Sequence, residues 1–309
     1  MSVFAEKKAR DFAAPTALPE SRAQSEAWQE ANRAWWESHP MRYDWKQPLE
    51  SETGEKAWYG EMDRRFFAAG VMPQGSRPFD GLIPFDHLGA MDVLEIGVGM
   101  GAHAQLLAQA ARSYIGIDLT SAAVDATKRR FELFGVPGTI LRMDAEDLTF
   151  PDRTFDFVWS WGVIHHTSNT RAALAEIRRV LKPGGRAGVM VYHRAAVPWY
   201  VWAGLVRGVL LGGLIRHGSI HGVMQSVTDG ALARYYSIHE WGREVEGLFE
   251  TEQTVVLGNR AETLPLPAGK FKDAAMRLFP EDALRFWLTT CRQGTMLFTR
   301  LRAAGEARA

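Results

Sequence analysis

The stretch VLEIGVGMG, Val93–Gly101, joins a short apolar run to three glycines at alternate positions. The apolar run predicts a buried strand, and the segment GAHAQLLAQAAR that follows predicts a helix. Glycines at such a junction allow a tight turn and a close approach of the backbone to a ligand, and the amino end of a helix favours a carboxylate or phosphate. The G-x-G-x-G spacing differs from the G-x-G-x-x-G of pyrophosphate binders, so a dinucleotide is disfavoured.

Strands and helices alternate from this stretch onward. Strands are predicted, in order, in MDVLEIG, YIGID, TILRMD, FDFVWS, RAGVMVYH, TEQTVVLG and GTMLFTRL. Helices are predicted between them in GAHAQLLAQAAR, SAAVDATKRRFELFG and TRAALAEIRRVL, and again after a capping box formed by Ser237 and Glu240. This alternation is typical of a parallel sheet with helices on both faces.

An acidic residue stands at the end of the second strand and another at the end of the third. Asp118 closes YIGID, 21 residues beyond Gly97, and Asp144 with Ala145 follows TILRM. A carboxylate after the second strand can accept hydrogen bonds from two ribose hydroxyls, and one after the third can receive an adenine amino group. Open α/β sheets bind ligands at the carboxyl ends of their strands, so these residues and the glycines predict one ligand site.

In these segments the chain resembles a class I S-adenosylmethionine-dependent methyltransferase, of the subgroup that acts on small molecules and ubiquinone-type substrates. The resemblance covers residues 91–193 and rests on VLEIGVGMG, IGID, MDAEDLTFPDRTFDFVWSWGVIHHT and EIRRVLKPGG. It implies an α/β, Rossmann-like seven-stranded sheet with strand order 3-2-1-4-5-7-6 and the last strand antiparallel. It also implies S-adenosyl-L-methionine as the cofactor and S-adenosyl-L-homocysteine as the product.

The resemblance carries cofactor contacts onto nine residues around the strand ends. These are Glu95, Gly97, Gly99, Gly101, Asp118, Leu119, Asp144, Ala145 and Trp161. The three glycines would cradle the methionine part of the cofactor, with Glu95 anchoring their loop from beneath. Asp118 would hold the ribose, and Asp144 with Ala145 would hold the adenine.

Two adjacent histidines, His165 and His166, lie just past the fourth strand in WGVIHHTSNT. An imidazole there can take a proton from an acceptor as it becomes a nucleophile. Adjacent residues of a helical turn point about 100° apart. One histidine is therefore expected to face the substrate, with His165 favoured, and the other to hold the turn. Neighbouring positions converge poorly on a metal and no acidic cluster accompanies them, so no metal site is predicted.

Further aromatic and polar residues are candidates for the mouth of the site. Tyr192 and His193, at the end of the fifth strand, join the two histidines as candidate catalytic residues. The candidate substrate-binding residues are Arg42, Tyr43, His165, Tyr235, Tyr236 and His239. The alternative for each is ordinary packing, in which the aromatic side chains seal the flanking segments onto the sheet.

Four regions are predicted along the chain. They are a Trp-rich N-terminal helical cap (1–80), the cofactor-binding core (81–193), a helical lid (194–236), and a C-terminal part (237–309) that completes the sheet around a helical insertion at 259–292. In the cap, EKAWYGEMDRRFFAAG predicts a helix that stops at Gly70. In the lid, the apolar run 197–215 contains Arg207, Pro198 and several glycines, which favours a buried or interfacial helix over a membrane span.

The composition sets outer bounds on function. Lys plus Arg and Asp plus Glu both number 36, so net charge gives no argument for nucleic acid as a partner. The chain also has no basic stripe and no N-P-P-Y-type loop after the fourth strand, so nucleic-acid methylation is not expected. One cysteine, Cys291, excludes an internal disulfide, and the first residues form no apolar leader, so a cytoplasmic location is expected.

These observations predict an enzyme of secondary metabolism that transfers a methyl group to O, N or C of a small, partly apolar or aromatic molecule by in-line displacement. Two alternatives stay open. One is an enzyme of another reaction type, such as a cyclase, on the same fold, and the other is a non-catalytic binding protein. The expected partner is the small-molecule substrate, and the choice between a monomer and a homodimer is left open.

Overall fold

The computed structural model describes residues 12–43, 48–71, 77–260, 269, 272 and 278–304. All described strands belong to one sheet. In chain order they are β1 (Gly70–Val71), β2 (Asp92–Ile96), β3 (Ser113–Asp118), β4 (Thr139–Arg142), β5 (Phe155–Trp161), β6 (Leu181–His193), β7 (Tyr235–Tyr236), β8 (Phe249–Asn259) and β9 (Met296–Ala303).

The order across the sheet is β4-β3-β2-β5-β6-β9-β8, with β1 added outside β8 and β7 beside the end of β6. The strands from β4 to β6 are parallel, and β9 runs antiparallel to both β6 and β8. Counting only the seven longer strands, this is the order 3-2-1-4-5-7-6 with the last strand antiparallel, so the predicted topology is confirmed. The two-residue strands β1 and β7 were not predicted.

Ten α-helices are described. They are α1 (Arg22–Ser38), α2 (Lys56–Ala69), α3 (Phe85–Leu88), α4 (Ala102–Ala110), α5 (Ser121–Phe134), α6 (Thr170–Val180), α7 (Gly213–His217), α8 (Ile220–Gln225), α9 (Ile238–Val245) and α10 (Glu281–Arg285). A 3₁₀ turn spans Ile164–His166, and π-helices span Val197–Leu210 and Phe286–Thr290.

The helix ends follow from local chemistry. The capping box predicted at the start of α9 is present, with the Ser237 side chain accepting from the Glu240 amide and Glu240 accepting in return. Helix α5 ends at Gly135 in the left-handed conformation, φ 64°. Gly70 ends α2 but is extended, with φ −82°, because the chain continues directly into β1 and pairs with β8. Gly70 is therefore a junction residue rather than the left-handed stop that its type suggested.

Helices cover both faces of the sheet, as the alternation predicted. On one face Leu94 and Val158 pack with Ile177 of α6 and Trp241 of α9. On the other face the neighbouring strand positions pack with α4 and α5, in a cluster that contains Val93, Phe157, Trp159, Leu107 and Phe131. Side chains of successive strand residues point to opposite faces, so each strand stabilises both layers. Each fully buried side chain of this size contributes roughly 1.5–3 kcal/mol.

The flanking segments pack onto the carboxyl end of this sheet. Helix α2 packs on α5 through Tyr59, and its Asp63 pairs with the buried guanidinium of Arg130. The first π-helix, α7 and α8 form a small cluster of their own around Trp199 and Met224. Within the described residues, no helix is both long and apolar enough to cross a membrane.

Candidate functional site

A cavity of about 800 Å³ opens at the carboxyl ends of the parallel strands. Its sheet side is formed by the residues that follow β2, β3 and β4 and by the ends of β5 and β6. Its other walls come from α1, with Gln29, Asn32 and Trp36, and from the first π-helix, with Val197, Pro198, Trp202 and Arg207. The cavity thus lies at the switch point between β2 and β5, where open α/β sheets bind ligands.

The glycines after β2 fall into two groups. Gly97 and Gly99 line the cavity, both with positive φ, 82° and 52°. A Cβ on Gly97 would stand 2.2 Å from Val163 Cγ2, whereas a Cβ on Gly99 would enter open space. Gly101 does not line the cavity. A Cβ there would meet Arg130 Cδ at 2.9 Å, so the small size of Gly101 serves the packing of α4 on α5.

Asp118 joins the end of β3 to the glycine loop and lines the cavity together with Leu119. One carboxylate oxygen accepts from the Gly99 amide at 3.1 Å, and the other accepts from the Thr120 amide and hydroxyl at 3.0 and 2.8 Å. Burial raises the pKa of Asp118, while these donors act in the opposite direction. The carboxylate therefore fixes the shape of the loop and still faces the cavity.

Asp144 and Ala145 line the cavity after β4, as predicted. The Gln29 amide of α1 donates to both oxygens of Asp144 at 2.8 Å. The Gln29 carbonyl oxygen in turn accepts from the Ser168 amide at 3.1 Å. One side chain of the N-terminal helix thus joins the third strand end to the loop after β5.

Glu95 lies beneath the cavity and does not line it. Its side chain is buried, and it accepts the Tyr114 hydroxyl of β3 at 2.6 Å. Burial raises the pKa of Glu95 to about 8, so its neutral form is favoured at pH 7. Its hydrogen bond therefore goes to the neighbouring strand and not to the glycine loop that it was expected to anchor.

The paired histidines divide, but in the opposite sense to the expectation. His166 lines the cavity, and its Nδ1 lies 2.8 Å from the Leu232 carbonyl oxygen. A carbonyl only accepts, so Nδ1 donates this hydrogen bond and carries a proton. A Cβ on Gly230 would stand 2.7 Å from His166 Nδ1, so this glycine makes room for the ring.

His165 is fully buried and does not line the cavity, so its favoured inward placement is wrong. Its ring lies 3.9 Å from that of Tyr192, and neither ring nitrogen has a hydrogen-bond partner among the described residues. Burial lowers the pKa of His165 well below its usual value and keeps the ring neutral. The 3₁₀ turn separates the two side chains by about 120°, and the Leu232 carbonyl holds the ring of His166 at the cavity.

Three of the predicted tyrosines share the cavity wall: Tyr43, Tyr192 and Tyr235. Tyr192 and Tyr235 are register partners on β6 and β7, with ring centroids 5.2 Å apart. The Tyr235 hydroxyl lies 2.6 Å from Thr228 Oγ1. Burial raises the pKa of Tyr43, so this phenol stays protonated at neutral pH.

Four other candidates lie away from the cavity: Arg42, His193, Tyr236 and His239. His193 Nδ1 lies 2.8 Å from the Gly294 carbonyl oxygen and holds the entry to β9. Tyr236 is buried against Trp241, with ring centroids 5.3 Å apart. His239 is exposed on the first turn of α9. The structure therefore does not bring these four side chains to the cavity wall.

Some residues that line the cavity could not be identified as site residues from the sequence. Arg207 is one: its buried Nε has no hydrogen-bond partner among the described residues, and its guanidinium lies 5.3 Å from the Trp202 ring. His103 of α4 is another. Its Nδ1 accepts from Trp159 Nε1 at 3.1 Å, and burial lowers its pKa to about 3. Both residues belong to helices whose approach to the cavity depends on tertiary packing.

Arg234 connects the segments around the histidine turn. It is fully buried, and its Nε donates to the Ala17 carbonyl oxygen at 2.8 Å. Its two terminal nitrogens donate to the carbonyl oxygens of Thr167 and Ser168. No described carboxylate pairs with it, and burial lowers its pKa. The guanidinium thus satisfies three backbone acceptors from two parts of the chain.

The part of the chain that the structure describes contains no candidate metal-binding site. There, no group of three or more His, Cys, Asp or Glu side chains is arranged to hold an ion.

Comparison with known proteins adds a family match. Residues 94–189 match the family described as "Methyltransferase domain". Over 100 residues the chain is 40% identical to the phthiotriol/phenolphthiotriol dimycocerosates methyltransferase of Mycobacterium tuberculosis, covering 32% of this chain and 36% of that protein. Over 95 residues it is 39% identical to the fatty-acid O-methyltransferase of Mycolicibacterium smegmatis, covering 30% and 34%.

The matched segment spans only about a third of the length of these curated relatives. Among solved structures, the [4+2]-cyclase SpnF superposes with a TM-score of 0.49 and 17% identity, covering 95% of this chain and 99% of that one.

Proposed function

We propose that this chain, whose residues 94–189 match the family described as "Methyltransferase domain", is a class I S-adenosylmethionine-dependent methyltransferase that transfers a methyl group to a small, largely apolar acceptor in the cavity. The observation that carries the proposal is the composition of that cavity. Gly99, Asp118 and Asp144 stand on its sheet side, and aromatic side chains of α1 and the first π-helix stand on the others.

The sheet side fits S-adenosyl-L-methionine. The open space beside Gly99 allows the close approach that the methionine part requires. Asp118 would hold the ribose hydroxyls, and Asp144 would hold the adenine amino group between Leu119 and Ala145. When bound, the cofactor supplies an electrophilic methyl group on a sulfonium. Gly101 and Glu95 take no part in this contact and shape the loop from behind.

The flanking walls would orient the acceptor and exclude water. Trp36, Trp202, Met190 and Met224 give this side an apolar surface. Much of the rate of such a transfer comes from holding the acceptor against the reacting methyl group, because the entropy cost of aligning the two is then met on binding. Charged side chains also line the cavity, among them Arg207, Asp229 and Lys272. The Arg207 Nε has no hydrogen-bond partner among the described residues, which supports an acceptor with an electronegative or anionic group at one end.

His166 is proposed as the base for an acceptor that enters as an O–H or N–H. Its Nδ1 proton is committed to the Leu232 carbonyl, so Nε2 is the nitrogen that can receive the acceptor's proton. His165 and Tyr192 pack behind it and position the ring, with His165 and His166 centroids 4.2 Å apart. An acceptor that is already an anion would need no base.

The test combines cofactor binding with label transfer. S-adenosyl-L-homocysteine is titrated by calorimetry, and methyl-labelled cofactor is offered with a panel of fatty acids, phenols and hydroquinones. We expect binding and label in a product. Asp118→Ala should weaken binding about a hundredfold, because a charged acceptor of two hydrogen bonds is lost. The exposed Asp125→Ala on α5 is the matched control and should bind as the unaltered protein does.

The outcomes separate the alternatives. A product that forms without label would replace methyl transfer by another reaction type on this fold. Absence of S-adenosyl-L-homocysteine binding in the folded protein would leave a non-catalytic binding protein.

A further inference from the structure

The first π-helix and α7 expose an apolar surface, the outer lid face. It consists of Tyr200, Val201, Leu205, Val209, Leu210, Leu211 and Ile215. Seven of the twelve exposed large hydrophobic residues of the described chain fall in these sixteen positions, with Ile215 93% and Leu210 68% exposed. Scattered exposed apolar residues are ordinary, but a concentration of this kind marks an interaction surface.

The outer lid face cannot turn inward to complete the core. The inner side of the π-helix is already packed, because a Cβ on Gly208 would stand 3.0 Å from Leu214 Cγ. Likewise a Cβ on Gly213 would stand 2.5 Å from the Arg207 carbonyl oxygen. Trp202 and Arg207 of the same helix line the cavity, so the lid has one side on the cavity and the other on solvent.

The charge on this surface has a single sign. Residues 194–228 contain no Asp or Glu. Arg216 and His217 follow Ile215, are exposed, and form no ion pair with any described residue. Arg194 is paired with Glu240 on the opposite side, and Arg207 faces the cavity. Within residues 194–228, the charged side chain that is exposed beside these apolar residues is therefore Arg216, a cation.

We propose that the outer lid face docks on the surface of an anionic lipid bilayer. Apolar side chains on one side of a helix enter the boundary between headgroups and acyl chains, and neighbouring cations bind the lipid phosphates. Tyr200 has the amphipathic character that favours this boundary. A symmetric dimer through the same face would bring Arg216 and His217 of both copies into one interface without a carboxylate. The charge pattern therefore favours lipid over a second copy.

The consequence reaches beyond methyl transfer. Docking would place the helix that lines the cavity at the membrane surface, so an apolar acceptor could pass between bilayer and cavity without crossing water. Membrane binding itself does not depend on the proposed function, because it involves the solvent-facing side of the lid and not the side that lines the cavity.

The experiment is flotation of the full chain with two kinds of vesicle, phosphatidylcholine alone and phosphatidylcholine mixed with phosphatidylglycerol, at low and high salt. We expect binding to the mixed vesicles that weakens with salt. Leu210→Ser with Ile215→Ser should reduce partition at least about tenfold, because two exposed anchors are lost. Arg216→Glu should reduce it at least about fivefold on mixed vesicles and leave phosphatidylcholine unaffected.

Matched controls lie elsewhere on the surface. Phe286→Ser removes an apolar side chain of similar exposure from the second π-helix, and Arg129→Glu reverses an exposed charge on α5. Both should float as the unaltered protein does. The proposal is overturned if the protein binds neither kind of vesicle, or if the controls lose as much vesicle binding as the lid variants. It is also overturned if light scattering shows a dimer that the Leu210/Ile215 substitutions convert to a monomer. Equal thermal melting of all variants verifies that each is folded.

Discussion

The hydrogen bond between His166 Nδ1 and the Leu232 carbonyl leaves Nε2 as the nitrogen of the proposed base. The selection is made by the backbone of the lid, 66 residues further along the chain. The His165 ring has no such bond among the described residues and packs against the rings of Tyr192 and His166. The two adjacent histidines therefore have different surroundings, because the Leu232 carbonyl and Gly230 lie beside the ring of His166 and not beside that of His165.

Substitution should separate these two histidines. His166→Ala should lower kcat for an O–H acceptor by about 10²–10⁴-fold with S-adenosyl-L-homocysteine affinity retained, as expected for loss of a base. His165→Ala should instead lower the free energy of unfolding by roughly 2 kcal/mol through the hole it leaves in the core. Turnover and chemical denaturation measure the two effects.

Added imidazole provides the control, since it can enter the space left in the His166 variant and restore turnover. If His165→Ala loses turnover and His166→Ala keeps it, the assignment of the two rings is reversed.

At the scale of elements, α1 makes a larger contribution to the site than its position in the chain suggests. Gln29 reaches Asp144, and Ser25 Oγ lies 2.6 Å from Ser168 Oγ. Glu37 accepts from the amides of Ser121 and Ala122 at 2.9 and 3.0 Å. These amides are at the start of α5, where a carboxylate is favoured by unpaired N–H groups and by the helix dipole. Helix α1 is thereby fastened over the cavity at both ends.

Removing this contact should loosen α1. Glu37→Ala should cost about 1 kcal/mol, as loss of a helix cap does. Hydrogen exchange should rise along Arg22–Ser38, and cofactor affinity should fall because Gln29 and Trp36 are held less well. Glu30→Ala, at an exposed position on the same helix where Glu30 forms an ion pair with Arg33, is the control. Equal exchange in both variants would show that Glu37 does not hold the helix in place.

The elements differ in how far the sequence predicts them. The seven longer strands are predictable because each is a short apolar run with turn residues beside it, and their order follows from the family resemblance. The site residues at strand ends, such as Asp118 and Asp144, are predictable for the same reason. The cavity residues of α1 and the π-helix are not, because their sequence shows an amphipathic helix without showing what it covers. Gly101 and His165 fail because neighbours distant in sequence occupy the space beside them.

At the scale of the whole molecule, Glu95 links stability to pH. Its pKa is near 4.5 when exposed and about 8 in the fold, so between these values the folded state binds more protons than the unfolded state. Stability contributed by the neutral carboxyl is complete below pH 4.5 and is lost as pH rises through 8. The slope approaches about 1.4 kcal/mol per pH unit in this window.

Glu95→Gln should remove this slope. As pH rises from about 4.5 to 8, the unaltered protein should lose stability relative to the Glu95→Gln variant. In the variant, the glutamine carbonyl oxygen can still accept the hydrogen bond from the Tyr114 hydroxyl. Denaturant titration at several pH values measures the difference. Glu132→Gln, at an exposed site on α5, should follow the unaltered protein. Parallel curves for Glu95→Gln and the unaltered protein would remove Glu95 as the source.

Arg234 has a consequence for building hybrid enzymes. Its guanidinium joins Ala17 to the histidine turn, and nearby the Tyr235 amide donates to the Pro15 carbonyl oxygen at 3.0 Å. Phe12 packs with Trp28 and with Leu232, whose carbonyl holds His166. A chimaera that takes its first segment from one parent and its lid from another could displace the Ala17 carbonyl and leave a buried cation one acceptor short. The two regions form a single exchangeable module, although about two hundred residues separate them.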